Sequence, residues 1–179
     1  MNKILRIGAA IGIALGIRAC MLVVEDKINQ YDKETLISKY RNMPVEQIQK
    51  SIKDLRGAQR LSEIIYNANG CCPKGAGLIA YLLKDDNYPV KFVRLQKEGW
   101  GFHWFFVYEN KSKIYCADNG LFGVVKCSSI NELVKYVEKR EKTKGIAYTT
   151  SDKMPSEFNS EKVNEDINIA YEFMKNKGI

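Results

Sequence analysis

Two adjacent cysteines, a single histidine and an aspartate at the end of a strand-like run are the residues of this chain whose types and spacing could do chemistry. Cys71 and Cys72 lie in Gly70-Cys71-Cys72-Pro73-Lys74-Gly75, His103 in Gly101-Phe102-His103-Trp104, and Asp118 in Cys116-Ala117-Asp118-Asn119-Gly120. A thiol becomes a strong nucleophile as its thiolate, so it needs a base, and the base needs a group that fixes its orientation. Read in that order, Cys72 would attack an amide or ester carbonyl, His103 would take and return the proton, and Asp118 would hold the imidazole's tautomer. Each residue also has a plain use: a small buried side chain, a hydrogen-bonded sheet histidine, the first residue of an Asp-Asn-Gly turn. Their conjunction in one stretch of fifty residues favours the chemical reading.

The elements that must position them are legible around them. Pro73 suits the first turn of a helix, which places Cys72 at the helix start, and Cys72, Ala76, Ile79 or Ala80, and Leu83 fall on one stripe. Free backbone N–H groups at a helix N-terminus favour a thiolate and can receive an oxyanion. Gly75 and Gly77 are poor helix formers that leave room for close packing. From Pro89 onward a series of strands follows: PVKFVRL, GFHWFFVYE, KIYCAD and LFGVVKC. A hairpin turning at Asn110 and Lys111 would set His103 opposite Asp118, with His103, Phe105 and Val107 on the face of Ile114, Cys116 and Asp118. The helix that carries Cys72 is expected to pack on that face.

Helical patterns flank this core. Leu36, Ile37 and Tyr40 share a face; Val45, Ile48, Ile52 and Leu55 repeat at three or four after Pro44; Leu61, Ile64 and Ile65 continue beyond Gly57. Asn119-Gly120 predicts a tight turn, Ser129 and Glu132 a capping box before Leu133, Val134 and Val137, GIAYTT a last strand, and Glu161 to Lys175 a terminal helix with Val163, Ile167, Ala170, Tyr171 and Met174 inward.

The stretch resembles the transglutaminase-like cysteine hydrolases of the papain-like superfold. Members of that family carry a glycine two before the nucleophile, an alanine four after, and leucines six, ten and eleven after; here those places hold Gly70, Ala76, Leu78, Leu82 and Leu83 around Cys72. Tyr88-Pro89-Val90-Lys91 is similar to the family's entry into its first sheet strand, His103-Trp104 to its histidine strand, and Asp118 follows at the family's distance. The resemblance covers about fifty residues. It implies an α+β, papain-like fold with a helical N-terminal part, the nucleophile at a helix N-terminus, and an antiparallel sheet carrying the other two residues. Where the family often has an acidic and then an aromatic residue after the cysteine, this chain has Lys74 and Gly75, and Cys71 competes with Cys72 on everything except the spacing to Gly70 and Ala76. No side chain can be assigned to an oxyanion hole from the sequence, Asn67 and Asn69 being the nearest amides.

At 179 residues and 45% hydrophobic content, the chain has length for one domain with a core, plus an appendage. The appendage is residues 1–27, with Lys3 and Arg6 before an apolar run from Ile7 that meets Arg18 and resumes to Val24. It reads as a signal peptide or membrane anchor, near the roughly 20 residues a span needs, placing the domain 28–179 on the extracytoplasmic side, although a cytoplasmic domain is an open alternative. Gly8, Gly12 and Gly16 form either a helix-contact seam or ordinary small residues of a signal segment. The net charge of +7 comes from 28 basic residues spread among 21 acidic ones, without a dense basic tract or a nucleic-acid motif, so no nucleic-acid partner is expected. Five cysteines with two adjacent make a poor disulfide framework, and one histidine with no CxxC makes a poor metal site; no metal or organic cofactor is implied.

The reading that combines these is a thiol-dependent acyl-transfer enzyme acting on a protein or peptide, hydrolysing a peptide or isopeptide amide bond through Cys72, His103 and Asp118. The alternatives are a noncatalytic, membrane-tethered interaction module of the same fold that binds through Trp100, Phe102, Trp104, Phe106 and Tyr108, and an amine-accepting transglutaminase. Substrate and oligomeric state are not encoded legibly.

Overall fold

The protein is described by a computed structural model over residues 33–52, 54–66, 71–84, 91–110 and 113–177. The apolar N-terminal segment 1–27, and with it the reading as signal or anchor, lies outside the described residues, as do Asn67, Asn69 and Gly70. Among the described residues no helix is long and apolar enough to cross a membrane.

Over the described residues the fold is α+β, with six helices and a five-stranded antiparallel sheet. Residues 33–40 are helical (α1). Then come α2 (Val45–Ser51), α3 (Leu55–Tyr66), α4 (Cys72–Leu82), β1 (Lys91–Lys97), β2 (Gly101–Asn110), β3 (Lys113–Ala117), β4 (Val124–Cys127), α5 (Ile130–Arg140), β5 (Ala147–Ser151) and α6 (Ser160–Asn176). Sheet order is β4-β3-β2-β1-β5: a meander in which the last strand returns to pair with β1.

Strand alternation divides the sheet cleanly. One face carries Phe92, Phe106, Ala117 and Val124 into a core built with α1 to α4 and α6, where Ile48, Leu61, Leu78, Ile79 and Ile167 are fully enclosed. The other carries Val93, Leu95, Phe105, Val107, Cys116 and Val125 onto α5, through Leu133 and Val137. Helix α4 is the centre of the thicker layer and is buried on nearly every side, from Cys72 to Leu82. It is regular from the first turn despite its two glycines, with the Gly75 N–H bonded to the Cys71 carbonyl at 3.0 Å. They are there for contact. A methyl on Gly75 would stand 2.3 Å from Asn119 Cβ, and one on Gly77 would stand 2.5 Å from the Phe158 ring.

Two expectations shift. The β2–β3 ladder pairs Asn110 with Lys113 and Phe106 with Ala117, two positions away from the predicted register, so His103 does not lie opposite Asp118 in the ladder. Because a displacement of two preserves side-chain faces, the grouping of Phe105 and Val107 with Cys116 stands. Helix α4, however, packs on the opposite face from that group, against Phe92 and Phe106. The aromatic stripe is unevenly exposed. Phe106 is buried, Trp104 and Tyr108 pack against the helical layer, Trp100 packs on the α5 side, and only Phe102 is largely exposed, at 52%.

Candidate active site

Strand β3 stops at Ala117 and β4 begins at Val124; between them residues 118–123 wind around a single carboxylate. Asp118, with no exposure, accepts the backbone N–H groups of Gly120 (3.0 Å) and Gly123 (2.8 Å) on Oδ1 and that of Phe122 (2.9 Å) on Oδ2. Its own N–H donates to the Gly123 carbonyl. Gly120 and Gly123 have φ of 109° and 71°, which glycine alone adopts readily, so the loop needs them to fold back onto the carboxylate. This is a larger structure than the two-residue turn that Asn119-Gly120 predicts, and it explains why the expected strand LFGVVKC shortens to its last four residues.

The second contact of Asp118 Oδ2 is His103 Nε2, at 2.7 Å. His103 sits on β2, 6% exposed, with the edges of Phe105 and Phe122 against its ring at centroid distances of 5.0 and 5.2 Å. Its other ring nitrogen, Nδ1, is not engaged by Asp118, and the Cys72 side chain lies close enough to the imidazole to act on its proton affinity. Burial alone would push this imidazole down. The hydrogen bond to Asp118, that to Cys72 and the charge of both outweigh it, and the group is raised to about 9. At neutral pH the ring is therefore largely an imidazolium held against the Asp118 carboxylate.

Cys72 is the first residue of α4 and 5% exposed. It comes from the helical layer, whereas His103 belongs by alternation to the α5 face, and the two meet because the sheet is notched there. With the β2–β3 ladder ending at Phe106 and Ala117, residues 101–105 have no ladder partner on the β3 side among the described residues. Asn119, against Gly75, holds the Asp118 loop to that turn, and its amide also donates to the Tyr66 carbonyl at 3.4 Å. The Ser62 hydroxyl bonds the Gly75 carbonyl from α3 at 3.0 Å. Of the adjacent cysteines, Cys72 is the one on His103; Cys71 packs toward the helical core.

The structure thus brings all three predicted residues together, His103 hydrogen-bonded to Asp118 and Cys72 beside the imidazole. Sequence reasoning missed Asn119 as a spacer between loop and helix, Phe122 as a wall of the imidazole, and Ser62 as the anchor of the α4 turn. The pairing of Gly75 with a bulky neighbour was the one available signal, since a glycine inside a helix implies close approach. Cys116 and Cys127, on β3 and β4, are free thiols close to each other; the neighbouring sulfur and burial hold Cys116 well above the ordinary thiol range, and the neighbouring sulfur draws Cys127 below it. Among the described residues no group of three or more His, Cys, Asp or Glu is arranged to hold a metal ion.

Chemically, the row can abstract a proton from sulfur and deliver it to a leaving group. The Cys72 N–H belongs to the helix N-terminus, whose first donors have no intrahelical acceptor. Comparison of the chain with models of protein families, with curated proteins and with solved structures finds no match.

Proposed function

We propose that the protein is a thiol-dependent hydrolase of peptide or isopeptide amide bonds, with the papain-like, transglutaminase-like arrangement that the sequence resembles. The observation that carries the reading is the row Cys72–His103–Asp118 at the N-terminus of α4. Cys72 attacks as the thiolate while His103, whose affinity for a proton is raised by Asp118 and by the neighbouring sulfur, holds the proton. Attack forms a carbon–sulfur bond and a tetrahedral oxyanion, which the Cys72 N–H and the positive end of α4 stabilise. Collapse expels the amine with the His103 proton, leaving a thioester. Water then attacks with His103 as base, releasing the acid and restoring the thiol. Asp118 keeps Nε2 as the donor nitrogen, so Nδ1 is the one that exchanges the proton with sulfur and leaving group.

Alkylation by iodoacetamide across pH, with modified cysteines mapped by mass spectrometry, tests this. Cys72 is expected to label rapidly at mildly acidic pH and more slowly there in His103→Ala. A Cys72 that follows the ordinary profile in both proteins would remove the enzyme reading. Once a substrate is found, products formed with and without a primary amine separate hydrolysis from transfer.

A further inference from the structure

Two thiols that take no part in the Cys72 row stand at the stem of the loop that carries Asp118. Cys116 lies on β3 opposite Val125, and Cys127 lies on β4 opposite Ile114. They are diagonal neighbours on adjacent strands, and both turn into the core beneath α5, with Leu133 and Val137. Such neighbours stand about 7–8 Å apart, their Cβ atoms somewhat closer. A disulfide takes α-carbons about 4.4–6.8 Å apart, so a small inward movement of one strand joins them.

Strand β4 is the one able to move. It is four residues long, lies at the edge of the sheet with β3 as its ladder partner, and ends at Cys127, which the exposed Ser128 follows. Short edge elements open at a lower free energy than the centre of a sheet. Opening there brings a small oxidant first to Cys127, the thiol that gives up its proton more readily because of the sulfur beside it. A buried thiol by itself is only a small apolar side chain. The place of this pair sets it apart. Between the two cysteines runs the whole Asp118 loop, with the Gly120, Phe122 and Gly123 N–H groups on the carboxylate and the Asp118 N–H on the Gly123 carbonyl. A bond between the sulfurs closes that loop covalently at its stem.

We propose that Cys116 and Cys127 are a redox pair, which a peroxide converts into a disulfide that braces the loop carrying Asp118. The Cys127 thiolate attacks one oxygen of hydrogen peroxide; the O–O bond breaks, hydroxide leaves and Cys127 becomes a sulfenic acid. The Cys116 sulfur then attacks the Cys127 sulfur, the S–S bond forms, and the sulfenic oxygen leaves as a second hydroxide. The two thiol protons convert the two hydroxides to water, so the thiols lose two electrons and the peroxide gains them. A dithiol reductant reverses the change by exchange. The brace holds whether or not Cys72 is a nucleophile.

The full, folded chain is treated with graded hydrogen peroxide, quenched by alkylation, cut with trypsin and mapped by mass spectrometry. Cleavage after Lys126 separates the two cysteines, so a bridge is read directly as two joined peptides, two hydrogens lighter than their sum. That species is expected to form and to be abolished by dithiothreitol. In the bridged protein the Gly120, Phe122 and Gly123 amides are expected to exchange hydrogen about tenfold more slowly, because the open stem is constrained. Cys127→Ala, oxidised identically at every other site, is expected to keep the faster exchange, and dithiothreitol reversal in the wild type makes the same comparison without a variant. Cys116 and Cys127 remaining free thiols in the peroxide-treated folded protein overturns the proposal. A bridge that leaves the exchange of the three amides unchanged or faster overturns it equally.

Discussion

His103 is the residue on which pH acts. Its folded-state value of about 9 lies above the ordinary 6.5, so the folded protein holds this proton more tightly than the unfolded chain does. The resulting stabilisation is complete below about pH 6.5 and is lost as pH rises through 9, a swing on the order of 3 kcal/mol for this buried group. Urea denaturation at pH 6 and pH 9.5 is expected to show the loss in the wild type and to show it diminished in His103→Ala; equal slopes in both would mean that other groups carry it. Asp118→Asn tests the other end of the row. The amide nitrogen cannot be placed without facing at least one backbone N–H, and its least costly position is toward His103 and Phe122. Nε2 must then accept, which moves the imidazole proton to Nδ1, the nitrogen beside Cys72. Stability is expected to fall by about 2–4 kcal/mol, and turnover, once a substrate is in hand, by roughly 10³-fold to 10⁴-fold. A variant with lower stability but unchanged turnover would make Asp118 a loop organiser only.

At the scale of elements, the contact between α4 and the Asp118 loop decides whether the row forms. Helix propensity alone says that Gly75→Ala stabilises α4 by about 1 kcal/mol. The contact says otherwise, since the new methyl would stand 2.3 Å from Asn119 Cβ and 3.2 Å from its Cα, and neither atom is the far end of a flexible side chain. Overpacking is expected to win, with a net loss of about 1–3 kcal/mol and a Cys72 alkylation profile moved toward that of His103→Ala. A more stable Gly75→Ala protein with an unchanged profile would show that the loop yields without cost to the site.

The same contact marks the limit of what the sequence made legible. Helix starts and inward faces were readable because period and caps are local: Ser129 accepts the Glu132 N–H at the head of α5, and Val163, Ile167, Ala170 and Met174 line the inside of α6. The capping box itself is modified, the Glu132 carboxylate taking the Ser128 N–H and hydroxyl. The β2–β3 register slipped by two because nothing in Glu109-Asn110-Lys111-Ser112-Lys113 selects one turn, while alternation tolerates the slip. The side of the sheet that α4 covers was not legible at all. Both faces are apolar, and the row crosses between them at a notch created by where β3 ends.

That crossing has a consequence for the whole molecule. Cys72 is part of the helical layer, and His103 packs with Phe105 and Phe122 of the α5 layer, so the site is joined only while both layers stay on the sheet. Each layer has its own reporter: Trp104 packs against the helical core and Trp100 against the α5 core, and they are the two tryptophans of the chain. If the shared sheet makes the layers one cooperative unit, fluorescence unfolding curves of Trp100→Phe and Trp104→Phe should have the same midpoint once each variant is referenced to its own calorimetric transition. Leu133→Ala, which empties a fully enclosed position beneath α5, should then lower both by the same amount, about 2–5 kcal/mol, although it touches only one layer. A Trp100 signal that melts early while Trp104 holds would make α5 a separable layer. In that case His103 would lose its aromatic wall before α4 moves, and local opening of α5, rather than global unfolding, would limit how long the row survives heating.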